Sequence, residues 1–457
     1  MTELNHLDED QLKAVKYLDN ALVIAGAGSG KTTTIIAKIE YLIEMKIYKP
    51  DEILIISFTN ETVNNLKTRI KYKVDINTFH KLALNIIDDA NIKNSPDDHL
   101  NYIINEYFNS YVLSNKKAKS RIKRILKTTN QKNFESLIKT FIMLYKSNYS
   151  DLDFLFRLYR KSFFLNKDYL LTILEIYSLY QTELEASGMV DFNDMISYAT
   201  ELIQKNKRRT KYKYILVDEF QDTSETRFRL IEAIMKQNSS KLFLVGDDYQ
   251  SIYRFSGCDL NIFINIEKYI PGIKKLHINH NYRNNQNLIN IANKFILKNK
   301  LHIKKNTICH KDIDKPIVIY FYTKKDNLIN NVTENIVGNI LVLGRNNYDK
   351  QDFNIIENEK LRFLTIHKAK GLEEENIILI NLYNKRLGFP SQIKNEALIN
   401  TILQKDYYPF EEERRLMYVA LTRTKTKIHI LVPADNYSIF IKELIKENRK
   451  YIEIRKI

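Results

Sequence analysis

Residues 21–42 read ALVIAGAGSGKTTTIIAKIEYL, and this stretch decides the fold. A short apolar run over 21–26 feeds a glycine-rich turn, and from Thr32 to Leu42 apolar residues recur at helical spacing. The order is strand, loop, helix. Ala25-Gly26-Ala27-Gly28-Ser29-Gly30-Lys31-Thr32 fits G-x-x-x-x-G-K-T with Ala25 in the first small position. Small residues there let backbone N–H groups wrap a phosphate at a helix N-terminus. Lys31 is placed to reach the β and γ phosphates, and the Thr32 hydroxyl to bind Mg²⁺. ATP and Mg²⁺ are the expected ligands.

Working outward, similar apolar runs recur at 53–57, 214–217, 242–245, 317–322, 340–343 and 377–380, each near a turn or a helix-like stretch. That alternation predicts an α/β fold with parallel sheets. Between about 89 and 186 strand patterns stop, and Leu, Ile, Phe and Tyr at helical spacing take over around the basic run 116–127. We expect a first motor domain from 1–88 and 185–275, a helical insertion at 89–184, and a second motor domain at 276–457. The run 214–217 ends in Asp218-Glu219, where a strand beside a phosphate loop carries its carboxylates. Asp218 is expected to hold the metal through water and Glu219 to polarise the attacking water. Without the phosphate loop, two such acids would read as an ordinary helix N-terminus.

The chain has 457 residues, 44% of them hydrophobic, enough for two to four structural units. Its 71 Lys and Arg against 55 Asp and Glu give a net charge of +16. Either a polyanionic partner or the lysine-rich usage of an AT-biased genome accounts for that balance. The 29 Tyr and 22 Phe offer rings on which bases could stack. Two cysteines, Cys258 and Cys309, exclude a disulfide framework and a four-cysteine zinc site. With an acidic, mixed start and no apolar stretch near 18 residues, the expectation is a cytoplasmic protein without a membrane span.

Beyond the phosphate loop, motifs follow in order: Leu7-Asp8-Glu9-Asp10-Gln11 with Ala14, Ser57-Phe58-Thr59-Asn60, Thr78-Phe79-His80, Val190-Asp191-Phe192 and VDEFQDTS at 217–224. Then come VGDDYQSIY at 245–253, Asn281-Tyr282-Arg283, TIHKAKGLE at 365–373 and EEERRLMYVALTRTK at 411–425. Together they resemble the UvrD/Rep/PcrA-like superfamily 1 helicases over nearly the whole chain. The resemblance implies two RecA-like motor domains and ATP-driven movement on single-stranded DNA or on single/double-strand junctions, in the 3′ to 5′ direction.

By that resemblance Gln11 reads the adenine, Tyr282 stacks on it, and Glu373 lies near the sugar. Gln250 senses the γ phosphate, and Arg283 and Arg423 are arginine fingers. For the strand, Phe58, His80, Phe192, Tyr253 and Phe255 are stacking surfaces, with Thr59, Asn60, Thr365, His367 and Lys370 as further contacts. Phe79 is expected in the core, and Arg414 and Arg415, beside three glutamates, in structural ion pairs.

The sequence departs from the family pattern in four places. Thr33 stands where the family commonly has an arginine stacking on adenine. Phe255 replaces the usual tryptophan, and the chain has none. Only about 80 residues separate Arg283 from Thr365, where larger relatives insert an accessory domain, and the region after Thr424 leaves no room for a duplex-parting hairpin. We therefore expect translocation with poor unwinding in the absence of a partner. The competing expectation is a DNA-sensing ATPase that regulates a partner nuclease, since the compact size resembles the helicase subunit of Gabija anti-phage systems. The basic run in the insertion could grip duplex DNA, dock a protein, or be a solvated helix face.

Overall fold

The computed structural model describes residues 4–88, 92–148, 152–162, 164–393, 396–403 and 406–457. Strands β1 (Ala21–Ala25), β2 (Ile53–Ser57) and β3 (Asp75–Thr78) come first. Two short strands, β4 (Lys93–Asn94) and β5 (Met189–Val190), pair in parallel at the root of the insertion. β6 (Tyr214–Val217), β7 (Lys241–Gly246) and β8 (Lys274–Ile278) complete a parallel sheet of order β3-β2-β6-β7-β1-β8. Beyond it, β9 (His280–Asn285) pairs with β10 (Ile308–Lys311). A second six-stranded parallel sheet takes β11 (Ile317–Tyr322), β12 (Ile340–Gly344), β13 (Leu361–Thr365), β14 (Glu374–Leu379), β15 (Thr424–Pro433) and β16 (Ile452–Lys456). Its order is β13-β12-β14-β15-β11-β16. These are two RecA-like α/β domains.

Helix α1 (Glu9–Lys16) opens on a capping box: the Asp8 carboxylate accepts from the Gln11 N–H at 2.8 Å, and Gln11 Oε1 accepts from the Asp8 N–H at 3.2 Å. Its last turn is tied to α2 (Lys31–Glu44) by the buried Lys38, which donates to the carbonyls of Val15 and Tyr17 at 2.8 and 2.5 Å. Side chains of β1 alternate faces. Leu22 and Ile24 join Leu54, Ile56 and Leu242 on one side, while Ala21, Val23 and Ala25 pack on the other with Ile35, Ile39 and Leu42 of α2. Burial on both faces requires a continuous apolar strand. Each fully buried Leu, Ile or Val among them contributes about 1.5–3 kcal/mol.

The insertion builds its own core from Phe134, Ile138, Phe141, Leu170 and Ile173, and Leu398, Ile399 and Ile402 from the second half of the chain pack into it. Its basic run forms the helix Lys116–Ile125, with Arg121 turned inward onto Glu175 and the Tyr107 hydroxyl. Lys117, Lys119 and Lys123 are exposed.

Three expectations about boundaries change. Strands do not stop at the insertion, because β4 lies inside it, and its last helix, Phe164–Ala186, runs past 184. Its expected start at 89 lies outside the described residues. The first sheet continues to Ile278 rather than 275, because β8 pairs with β1 along its length. As an edge strand, β8 needs no apolar run and exposes polar side chains. Among the described residues no helix is long and apolar enough to cross a membrane.

Candidate nucleotide cleft and strand platform

The matched motifs of the first domain collect where its strands end. The phosphate loop follows β1, Phe58 follows β2, Phe79-His80 follow β3, Asp218-Glu219 follow β6, and Asp247–Gln250 follow β7. Carboxyl ends of parallel strands are where α/β sheets bind ligands. A cleft of about 940 Å³ opens there, lined by Gly26 through Thr33 on one side and by Tyr282, Arg283, Lys370, Glu373 and Arg423 on the other.

Within the loop, Gly28 and Gly30 have φ of +68° and +79°, which side chains with a β-carbon rarely adopt. A β-carbon on Gly28 would lie 2.6 Å from Arg283 Cβ, and one on Gly30 would lie 2.6 Å from Gln11 Nε2. Asn281 Nδ2 donates to the Ala27 carbonyl at 2.7 Å, and the Tyr282 N–H to Gly28 O at 2.9 Å. The second half of the chain thus rests on the loop. Gln11 is only 2% exposed, with its amide divided between Asp8 and the Ser29 carbonyl. It braces the loop here, and reading an adenine would require it to release that carbonyl. Tyr282 is 46% exposed, and its hydroxyl donates to Asp8 at 2.6 Å.

Lys31 Nζ lies 3.2 Å from Glu219 Oε1. Glu219 sits at φ +50°, a strained backbone that turns it off the end of β6. Burial raises the Asp218 carboxyl, helped by the neighbouring Glu219 charge. Burial would raise Glu219 as well, but Lys31 and Lys370 outweigh it and hold that carboxyl down. Glu219 is therefore the ionised member of the pair. Asp218 and the Thr32 hydroxyl border the same cleft, and no cluster of three ligating side chains exists among the described residues. That donor set fits Mg²⁺, which keeps waters and takes its remaining ligands from phosphates.

From the second domain, Arg423 is 1% exposed. Its guanidinium donates to the carbonyls of Val419 and Leu372, to Gln250 Oε1 at 2.9 Å, and to the Thr422 hydroxyl. All four are neutral acceptors, and burial followed by the nearby Arg283 charge lowers its pKa to about 9. Arg283 instead donates to Glu373 at 2.6 Å, and Lys425 approaches the same carboxylate at 3.1 Å. Glu373, expected near the sugar, is here the counter-ion of Arg283.

Lys370, expected among the strand contacts, is engaged within the protein. Its ammonium pairs with Asp222, donates to the Gln250 carbonyl at 2.8 Å, and lies 3.9 Å from Glu219. It joins the two domains across the cleft, because buried carboxylates on the first domain need a cation and the second supplies one. Thr365 is likewise buried, its hydroxyl accepting from the Lys368 N–H at 3.4 Å. Arg414 and Arg415 make structural pairs with Glu443 and Glu411, as expected.

Aromatic residues form two groups beside the cleft. Phe192 is 47% exposed, with the His80 ring 4.7 Å away. Phe255 is 58% exposed and packs edgewise on Tyr253 and on His367 of the second domain, at 6.0 and 5.6 Å. One helical end of the insertion braces both groups. Lys146 pairs with Asp191 and Asp194 beside Phe192, while a β-carbon on Gly257 would lie 2.4 Å from Ser147 Cβ. Phe58 is half-buried, with Phe79 packed against it and the Arg227 guanidinium over its ring. Thr59 caps the helix Asn60–Arg69, leaving Asn60 exposed in its first turn.

Burial, then Arg227 for His80 and Arg345 for His367, lowers both imidazoles to about 4. The unfolded chain binds their protons first, so the stability they contribute is complete above about pH 6.5 and is lost as pH falls toward 4. Melting midpoints should fall across that window, with a shallower slope in His80→Phe, and single-strand affinity should show no step at pH 6.5. A step that His80→Phe removes would instead mean a charged ring on phosphate.

A cleft with its phosphate loop after a strand of the first sheet, and facing it Arg283 on β9 and Arg423 just ahead of β15 of the second sheet, is a two-domain P-loop nucleotide site. Residues 7–271 match the UvrD/REP helicase N-terminal domain and residues 335–433 the UvrD-like helicase C-terminal domain. The chain belongs to the UvrD/REP helicase family. It is 28% identical over 488 residues to DNA helicase IV of Escherichia coli, covering 97% of this chain and 70% of the relative. Against the ATP-dependent DNA helicase Rep of Buchnera aphidicola from Acyrthosiphon pisum it is 31% identical over 388 residues, covering 81% of this chain and 57% of the relative. A probable DNA helicase II homolog of Mycoplasma capricolum is 30% identical over 424 residues, at 87% and 57%. The chain thus spans little more than half the length of the latter two.

Proposed function

We propose that the chain is an ATP-driven motor that moves along single-stranded DNA, 3′ to 5′, as the family resemblance implies. The observation that carries this reading is Arg423, a buried guanidinium on neutral acceptors that bridges to Gln250 of the other domain. A buried cation of that kind awaits an anion, and a γ phosphate held by Lys31 supplies it. Bound Mg²⁺ would neutralise charge on the phosphates between Thr32 and Asp218. Glu219, kept ionised by Lys31 and Lys370, orients and polarises the attacking water. Arg283 leaves Glu373 for the phosphate, and Arg423 draws the second domain inward. Loss of the γ phosphate releases that pull, and the aromatic groups step along stacked bases.

The test is ATP hydrolysis with no nucleic acid, with single-stranded DNA and with blunt duplex, run beside a strand-separation assay. Single strands should stimulate turnover strongly, binding should weaken steeply with salt, and long duplexes should separate poorly. Equal rates in all three conditions would sink the motor reading, and robust unwinding would sink its dependence on a partner.

A further inference from the structure

Lys305 belongs to the segment 297–307 that follows the helix Gln286–Ile296. The segment turns back to the first domain and buries the ammonium, its side chain 5% exposed, 2.5 Å from Asp247 Oδ1 and 2.5 Å from Asp248 Oδ1. Both carboxylates have fully buried side chains, and Lys305 also lies 3.3 Å from the Tyr249 ring centre. His302 and the Ile303 N–H hold the second oxygen of Asp248 at 2.9 Å. One short segment from the second half thus neutralises two adjacent acids of the first.

The consequence runs to the reaction through Gln250. Asp247 Oδ2 accepts from Gln250 Nε2 at 2.6 Å, and Gln250 Oε1 accepts from Arg423 at 2.9 Å. Arginine can only donate, so the atom facing it must be the amide oxygen, leaving the amide nitrogen for an acceptor. An ionised Asp247 can only accept, and so holds the amide nitrogen toward itself. Two carboxylates buried side by side without a cation share a proton, as like charges in a low dielectric do. A proton on Asp247 Oδ2 would make that atom a donor, favour turning the amide over, and set Gln250 Nε2 against Arg423.

We propose that Lys305 is a positioning residue for the γ-phosphate site, an inference that rests on the ATP-hydrolysis reading above. By balancing Asp247 and Asp248 it fixes which way the Gln250 amide points, and so aligns Arg423.

The test compares Lys305→Met with Lys305→Arg in the full chain. Lys305→Met should lower kcat about a hundredfold, as a small misplacement of a catalytic group does. KM for ATP and single-strand affinity should stay within about threefold, because the phosphate loop and aromatic groups are untouched. Its kcat should recover relative to the parent as pH rises, because two buried carboxyl groups left without a cation lose a shared proton only at higher pH. Lys305→Arg, which keeps the charge, should regain most of the rate. A folded Lys305→Met with the parent's kcat, or with a loss that tracks only its folded fraction, overturns the proposal. So does a folded Lys305→Arg as slow as the methionine variant. If Lys305→Met does not fold, Lys305→Gln carries the same comparison. Absence of ATPase activity in the parent would instead defeat the underlying reading.

Discussion

Lys31→Ala is expected to abolish ATP hydrolysis while single-stranded DNA still binds. Lys31 is the cation at the base of the phosphate loop, and it also holds Glu219 ionised from 3.2 Å. Its removal withdraws charge from the γ phosphate and lets burial raise the Glu219 carboxyl, so both effects slow the reaction. Roughly a thousandfold or more, about 4 kcal/mol of transition-state stabilisation, is the expected loss. The exposed rings Phe192 and Phe255 lie on other elements and keep their surroundings. Phosphate release and fluorescence anisotropy on a labelled oligonucleotide separate the two readouts. A parallel collapse of DNA binding in a folded variant would mean that the sites are one.

Arg423→Ala should be at least as damaging to turnover, yet should leave ATP bound. A finger delivered from outside the phosphate loop is worth about 10³- to 10⁵-fold in rate. Here the side chain also orders the cleft, since its removal leaves the carbonyl of Leu372 and the Gln250 oxygen without their donor. Arg423→Lys separates charge from geometry: lysine restores a point charge but not the fork, so it should recover folding and only part of the rate. If Arg423→Ala hydrolysed ATP within about tenfold of the parent, the arginine would be an interdomain brace and nothing more.

The chemistry was legible because it is local. A phosphate loop, two acids after a strand and arginines inside fixed motifs announce themselves at short spacing, and the seven apolar runs became β1, β2, β6, β7, β11, β12 and β14. Strands at the sheet edges were not legible. β3 reads Asp-Ile-Asn-Thr and β8 Lys-Lys-Leu-His-Ile, since an edge meets solvent and needs fewer apolar side chains. β15 was missed although it is central, because its first residues, Thr424 to Lys427, are polar and mask the apolar stretch behind them. Lys370 and Lys305 show the deeper limit. Each is a lysine in a basic chain, and only folding reveals a carboxylate partner, 148 and 58 residues away in sequence.

β1, which carries the phosphate loop, is paired on both sides in its sheet, yet both of its neighbours, β7 and β8, lie more than 200 residues downstream. During synthesis at about 5–20 residues per second, the strand waits roughly 10 to 45 s with both edges unpaired. The nascent chain therefore exposes Leu-Val-Ile to the ribosome's surroundings, while β2 and β3, adjacent in sequence and in space, can already pair. Emergence of residue 278 is the point at which the ATP-binding half becomes a foldable unit, so a ribosome stalled short of it would hold a chain suited to chaperones and proteases rather than to nucleotide.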